Sequence, residues 1–102
     1  MHHNRVQLDG QLAKAPRRSK SPAGIPHCQF WLDHRSTQYE ASMARQAALR
    51  IAVVASGEDL AEQTRLLQMG TAVTVTGFLV SHQGRDGLAK VVLHAQHIEL
   101  LN

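Results

Sequence analysis

Alternation of apolar and polar residues constrains the fold of this 102-residue chain more than any other feature. Side chains on a β-strand point to opposite faces in turn, so alternation predicts a strand with one buried face. Five separate stretches alternate in this way or are rich in the β-branched residues that favour strands. They span residues 5–13, 27–35, 46–54, 71–80 and 90–101. The chain is therefore expected to be mainly β.

The connections between these stretches differ in composition. All three prolines lie in residues 14–26, which we predict to be a loop. Residues 36–44 are polar and predict a flexible loop. Residues 81–89 contain an Asp-Gly pair, which is typical of a hairpin turn.

A short helix is predicted between the third and fourth strands. Ser56 is a suitable N-cap residue. Glu58 and Asp59 would place negative charge in the first turn, where the helix dipole favours it. Gly70 is typical of a helix end, so we expect the helix to stop there.

Five strands with a helix between strands three and four match the five-stranded Greek-key barrel of the OB fold. Gly10 in the first strand and Gly77 in the fourth would permit the sharp coiling of a small barrel. An open five-stranded sheet with one helix across it is the alternative. The length predicts a single domain over residues 1–102. Because a chain of this size buries only a small core, a homodimer is expected.

Positive charge is unevenly distributed along the chain. The formal net charge is +3, and three acids, Glu58, Asp59 and Glu62, cluster in the predicted helix. The cations concentrate in the first loop, in the middle of the chain and around the last glycine turn. Segregated cations are typical of proteins that bind polyanions, although a merely soluble basic surface remains the alternative.

Trp31, the only tryptophan, falls on the polar side of the second predicted strand. Cys28, Phe30 and Leu32 alternate with it and fall on the apolar side. An exposed aromatic side chain beside cations is one way to stack an unpaired base. A subunit interface covered by Trp31 is the other interpretation, and the spacing favours neither.

Several classes of chemistry find no support in the sequence. Cys28 is the only cysteine, so no internal disulfide can form, which suits a reducing cytosol. His94 and His97 are three residues apart and would lie on opposite faces of a strand, so we expect no metal site. There is no Gly-rich phosphate loop, no apolar run long enough to span a membrane, and no signal peptide. We therefore expect neither a cofactor, nor an enzyme, nor a membrane protein.

Residues spread over nearly the whole chain resemble the family of primosomal replication protein N, PriB. The most specific match is the GIPHCQF segment in residues 24–30, with collinear matches in residues 75–78 and 90–95. The resemblance implies a cytoplasmic homodimer of OB folds that binds single-stranded DNA without strong sequence preference. It also implies that the chain stabilises the PriA helicase on DNA and recruits DnaT, with single-stranded DNA-binding protein, SSB, as a further candidate partner.

The family's site residues carry over only in part. Its DNA-binding basic positions are matched by Arg35, Arg45, Arg85 and Lys90, and its basic first loop by Arg18 and Lys20. Its two stacking aromatic residues are replaced by Met43 and Ala48, so stacking is expected to have moved to Trp31 or Tyr39. The candidate nucleic-acid-binding residues are Arg18, Lys20, Trp31, Arg35, Tyr39, Met43, Arg45, Arg50, Arg85 and Lys90.

Two other functions remain open, and the loss of both stacking aromatics strengthens the first of them. The chain could be a protein-interaction adaptor whose basic surface docks partner proteins, with only weak nucleic-acid binding. It could also bind RNA on the same fold.

Overall fold

Six strands and one short helix make up the part of the chain that the computed structural model describes, residues 2–101. The elements are β1 (Val6–Leu12), β2 (Arg17–Lys20), β3 (Pro26–Glu40), β4 (Met43–Ser56), α1 (Glu58–Gln63), β5 (Ala72–Gln83) and β6 (Ala89–Leu101).

The strands form one sheet that closes on itself. The order is β1-β5-β6-β4-β3-β2, and β1 also pairs with β3 through Gln11–Asp33 and Leu12–Leu32. The sheet therefore closes into a five-stranded barrel, as the sequence predicted, in the order β1, β5, β6, β4 and β3. The sixth strand, β2, adds to the edge of β3 and shifts the numbering by one. The helix lies between β4 and β5, which are the third and fourth strands of the prediction.

The core lies inside this barrel and is built from the apolar side of each strand. Leu32, Val53, Val73, Val75 and Leu93 are completely shielded from solvent. Each comes from a strand in which fully buried residues have less buried neighbours on at least one side. Removal of these side chains from water is the main force that closes the barrel.

Two glycines allow the strands to approach closely. A Cβ atom at Gly10 would overlap the carbonyl oxygen of Asp33, where β1 meets β3. A Cβ atom at Gly77 would overlap the carbonyl oxygen of His94, next to a register shift between β5 and β6. Both glycines thus serve the coiling that the sequence predicted.

The prediction of loops over residues 14–26 and 36–44 is wrong in part. Residues 14–26 contain β2, which pairs with β3 from Arg17–Gln29 to Lys20–Pro26. Residues 36–44 continue the β3–β4 hairpin without a break as far as the pair Glu40–Met43. Ala41 and Ser42 form a two-residue turn with φ of 52° and 64°, which matches the twist of a hairpin. The composition concealed this turn because neither residue is glycine or asparagine.

The helix is shorter than predicted and is capped differently. It ends at Gln63, and irregular turns fill the segment before Gly70. Gly57 is the N-cap residue and makes no side-chain cap bond. The Ser56 hydroxyl instead hydrogen bonds to Nδ1 of His27 across the β3–β4 ladder, at 2.7 Å.

Candidate nucleic-acid interface

Trp31 lies at the middle of the outside of the barrel. It pairs with Ala52 on β4, and Ala52 pairs in turn with Val92 on β6. Trp31 is 43% exposed, whereas its neighbours Phe30 and Leu32 are buried. The predicted outward orientation of Trp31 is therefore confirmed. We call the surface around the row Trp31–Ala52–Val92 the outer face.

Open cavities flank Trp31 on both sides. One has a volume of about 470 Å³ and lies where β4 and β6 diverge; its lining includes Leu49, Val91 and Lys90. The other has a volume of about 340 Å³ and lies towards β2. Trp31 and Ala52 line both cavities. The indole therefore separates two adjoining depressions on a mainly apolar floor.

Arg50 lines the first cavity but is held by an acid. Its Nε donates to Oδ1 of Asp33 at 2.6 Å and its Nη2 to Oδ2 at 3.1 Å. These hydrogen bonds from Arg50 lower the pKa of Asp33, and the Asp33 carboxylate raises the pKa of Arg50. A phosphate that binds Arg50 would have to compete with Asp33 or share the guanidinium with it.

Arg35 and Lys90 extend the positive charge of the outer face. Arg35 lies two positions beyond Asp33 on the same face of β3 and is exposed. Its charge also contributes to the lowered pKa of Asp33. Lys90 is exposed at the start of β6, near Arg50 in the first cavity. Arg85 is exposed in the turn between β5 and β6 and lines neither of the cavities beside Trp31.

Arg18 and Lys20 lie in a different place from Trp31. Arg18 pairs with Cys28 on β3, so its side chain points to the side of β2 opposite that of Arg17. Its Nη2 donates to the carbonyl oxygen of Thr64 at 2.7 Å, just after α1. Arg18 and Lys20 line a cavity of about 350 Å³ with Cys28 and Thr64. The structure thus does not bring this pair together with the outer face.

The far end of the β3–β4 hairpin carries the remaining candidates. Tyr39 shares the strand face of Trp31 and Arg35, whereas Met43 and Arg45 point to the opposite side of the hairpin. Tyr39 is 78% exposed and Met43 59% exposed. Arg45 lies 3.8 Å from a carboxylate oxygen of Glu40, an exposed pair of little strength. The hairpin therefore divides these three residues between two faces.

Two cations beside Trp31 were not among the predicted site residues. Arg17 and Lys14 line the second cavity together with the indole. Arg17 pairs with Gln29, which places it on the outer face of β2, while Arg18 turns away. The signal was present in the basic run of residues 14–20. That run alone does not show which cations lie beside Trp31, because only a strand such as β2 places neighbouring arginines on opposite faces.

Comparisons with known proteins agree on one kind of protein. Residues 4–97 match a family described as another single-strand binding protein family. Replication restart protein PriB of Photorhabdus laumondii is 53% identical over 102 residues, which cover all of this chain and 97% of that protein.

Two solved structures share the fold. PriB of Ralstonia solanacearum matches with a TM-score of 0.81 at 26% identity, over 99% of this chain and all of that one. A deletion mutant of the single-stranded DNA binding protein from Thermus aquaticus matches with a TM-score of 0.79 at 28% identity, over 98% of this chain and 51% of that one. These matches confirm the OB-barrel prediction. No helix within residues 2–101 is long and apolar enough to cross a membrane.

Proposed function

This chain belongs to the PriB family of single-strand binding proteins, and on this premise we propose that it binds single-stranded DNA and acts in replication restart. The observation that carries the proposal is the position of Trp31. It is an exposed aromatic side chain between two open cavities, with cations on either side. A base can stack on such a ring while the phosphates on both sides of that base contact the cations.

The proposed DNA path crosses the outer face from β2 to β6. Arg17 lies on one side of Trp31, and Arg50 and Lys90 lie on the other. Arg35 is further along β3 on the same face. Four phosphate contacts would give a slope of about −3 for log affinity against log salt, at about −0.7 per contact for single strands. The bound DNA would reach four further residues only where it extends onto the hairpins: Arg85, Arg45, Tyr39 and Met43.

Arg18 and Lys20 are assigned a lesser role. Arg18 is engaged by the Thr64 carbonyl, so a phosphate would have to replace a hydrogen bond that the fold already makes. Loss of the Arg18 side chain is therefore expected to reduce stability more than DNA affinity.

We propose that partner proteins complete the function in the cytoplasm. Kinship to a replication restart protein supports a role in stabilising PriA on DNA and recruiting DnaT, with SSB as a further partner. A homodimer is proposed as well. The edge of β1 that faces away from β5 pairs with β3 only at Gln11 and Leu12 within the described residues, which leaves backbone groups available to a second copy.

Fluorescence polarisation with labelled oligo-dT, oligo-U and duplex DNA at several salt concentrations tests the proposal. We expect oligo-dT to bind most tightly, with a slope near −3. Lys90→Ala should weaken binding and make the slope shallower by about 0.7. Arg65→Ala is the matched control, because Arg65 follows α1 and pairs with Glu62; it should leave the slope unchanged.

Two results would overturn the proposal. Weak binding of all three ligands, together with measurable association with PriA, would favour the adaptor function instead. Tighter binding of oligo-U than of oligo-dT would favour an RNA-binding protein on the same fold.

A further inference from the structure

Two histidines on neighbouring strands direct the same ring atom at each other. Nε2 of His82 on β5 lies 2.9 Å from Nε2 of His94 on β6. Their ring centroids are 5.2 Å apart, with an interplanar angle of 29°. Both side chains line a cavity of about 480 Å³ that extends from Ala52 along the outside of the barrel. The pair is thus open to solvent at its tips.

The surrounding structure fixes one ring and leaves the other accessible. Phe78 stacks on His94 with centroids 5.3 Å apart and an interplanar angle of 10°, and the two residues are direct partners across β5 and β6. His94 is half-buried, whereas His82 is exposed. One ligand atom is therefore pre-positioned, and the other can adjust towards it.

We propose that His82 and His94 form a binding site for a divalent transition-metal ion of the Zn²⁺ or Cu²⁺ type. Imidazole nitrogens bind such ions at about 2.0–2.1 Å, so one ion can reach both Nε2 atoms. Tetrahedral geometry at these bond lengths places the two nitrogens about 3.3 Å apart. A rotation of the exposed His82 ring that moves its Nε2 by a few tenths of an ångström provides that separation.

A hydrogen bond between the rings is the arrangement that the metal would replace. In that bond one Nε2–H donates and the other Nε2 accepts. When the ion binds, the ring that was protonated on Nε2 changes to the Nδ1–H tautomer, so that both Nε2 lone pairs bind the ion. No group of three or more His, Cys, Asp or Glu side chains converges within residues 2–101. The ion would therefore have two protein ligands and keep water at its other positions, so binding should be reversible and moderate in affinity.

The site does not depend on the proposed function, and its test uses the protein without DNA. Zn²⁺ is titrated into ¹⁵N-labelled protein while the imidazole nitrogen resonances are followed by NMR. His2 and His3, which could also bind metal, are replaced by alanine in every protein used. We expect the Nε2 resonances of His82 and His94 to shift together and to saturate, and Mg²⁺, which prefers oxygen ligands, to cause no shift.

Substitutions provide the second part of the test. His82→Ala and His94→Ala should each weaken Zn²⁺ binding on the order of tenfold or more, because the second imidazole binds intramolecularly in the intact site. His97→Ala is the matched control, since His97 is exposed on the same strand and outside the pair. Cu²⁺ should bind more tightly than Zn²⁺.

Two outcomes would overturn the proposal. One is Zn²⁺ binding that is equal in the His82, His94 and His97 variants. The other is a titration in which the Nε2 resonances of the unsubstituted pair do not move. The second observation needs no substitution within the barrel, so it decides the question even where a variant fails to fold.

Discussion

The two halves of the β3–β4 hairpin share one continuous ladder but have different surroundings. In the barrel half, residues 26–34 and 49–56, β1, β2 and β6 also pair with the hairpin. Here buried Phe30 and Leu32 alternate with exposed Gln29 and Trp31. In the outer half, residues 35–48, the two strands pair only with each other among the described residues, and nearly every side chain is exposed.

This difference determines what each half can contribute to binding. A packed core fixes the strands of the barrel half, so Trp31 projects from a rigid backbone, and Asp33 orients Arg50 before any ligand arrives. A two-stranded ribbon outside a core is only marginally stable. Tyr39 and Arg45 on the outer half would have to be ordered during binding, which costs conformational entropy. We therefore expect the barrel half to supply most of the affinity.

The largest contrast should appear in stability. Leu32→Ala removes a fully buried side chain and should lower the free energy of unfolding by about 2–5 kcal/mol. Met43 lies on that same side in the outer half and is 59% exposed, so Met43→Ala should change stability by no more than about 0.5 kcal/mol. Urea denaturation of both variants measures the contrast. Equal losses would mean that the outer half is packed as tightly as the barrel.

The next contrast concerns DNA affinity. Trp31→Ala should weaken oligo-dT binding by about 1–3 kcal/mol, the usual contribution of one stacked base. Tyr39→Ala should cost less than about 1 kcal/mol, because Tyr39 must first be immobilised. Fluorescence polarisation at a fixed salt concentration compares the two. A larger loss for Tyr39 would place the main stacking site on the outer half.

A smaller effect is expected at the hairpin turn. Ser42 has a φ of 64°, which costs a non-glycine residue about 1–2 kcal/mol. Ser42→Gly removes this cost but adds backbone entropy to the unfolded chain, so we expect a net stabilisation of about 0.5 kcal/mol. Ala44→Gly, within β4, is the control and should destabilise. Thermal denaturation of both variants tests the sign of the change in stability. Destabilisation by Ser42→Gly would contradict the claim that the backbone of Ser42 is strained.

The smallest effect is a change in one pKa. Hydrogen bonds from Arg50 hold the pKa of Asp33 below its ordinary value of 3.8. The ion pair therefore stabilises the fold at neutral pH, and this contribution is lost as the pH falls through the lowered pKa. Arg50→Gln should raise the pKa of Asp33, as measured by carboxyl ¹³C NMR. Arg35→Gln should raise it less, because Arg35 acts only through its charge at a distance. An unchanged pKa in Arg50→Gln would show that the pair is not formed in solution.

Alternation made the barrel predictable but not the outer half of the hairpin. Val53 and Leu32 lie in stretches where apolar residues recur at every second position, so their strands and buried faces follow from the sequence. Residues 36–44 are polar on both sides of the ribbon, because neither side is covered by a core. Only the backbone pairing identifies this segment as β-structure.

The candidate site was predictable to a similar extent. The outward position of Trp31 follows from strand periodicity. The bond from Arg18 to the Thr64 carbonyl joins residues 46 positions apart, and no local pattern signals it. The Asp33–Arg50 pair likewise depends on the register between β3 and β4. Which cations remain available to a ligand is therefore set by tertiary contacts that the sequence does not reveal.

Trp31 itself provides the most direct measurement of the central claim, because it is the only tryptophan in the chain. Its intrinsic emission and the polarisation of labelled oligo-dT are recorded in the same titration. If a base stacks on the indole, the emission should be quenched and should saturate at the same DNA concentration as the polarisation. Saturation of the polarisation without any change in Trp31 emission would contradict the account, since DNA would then bind away from the outer face.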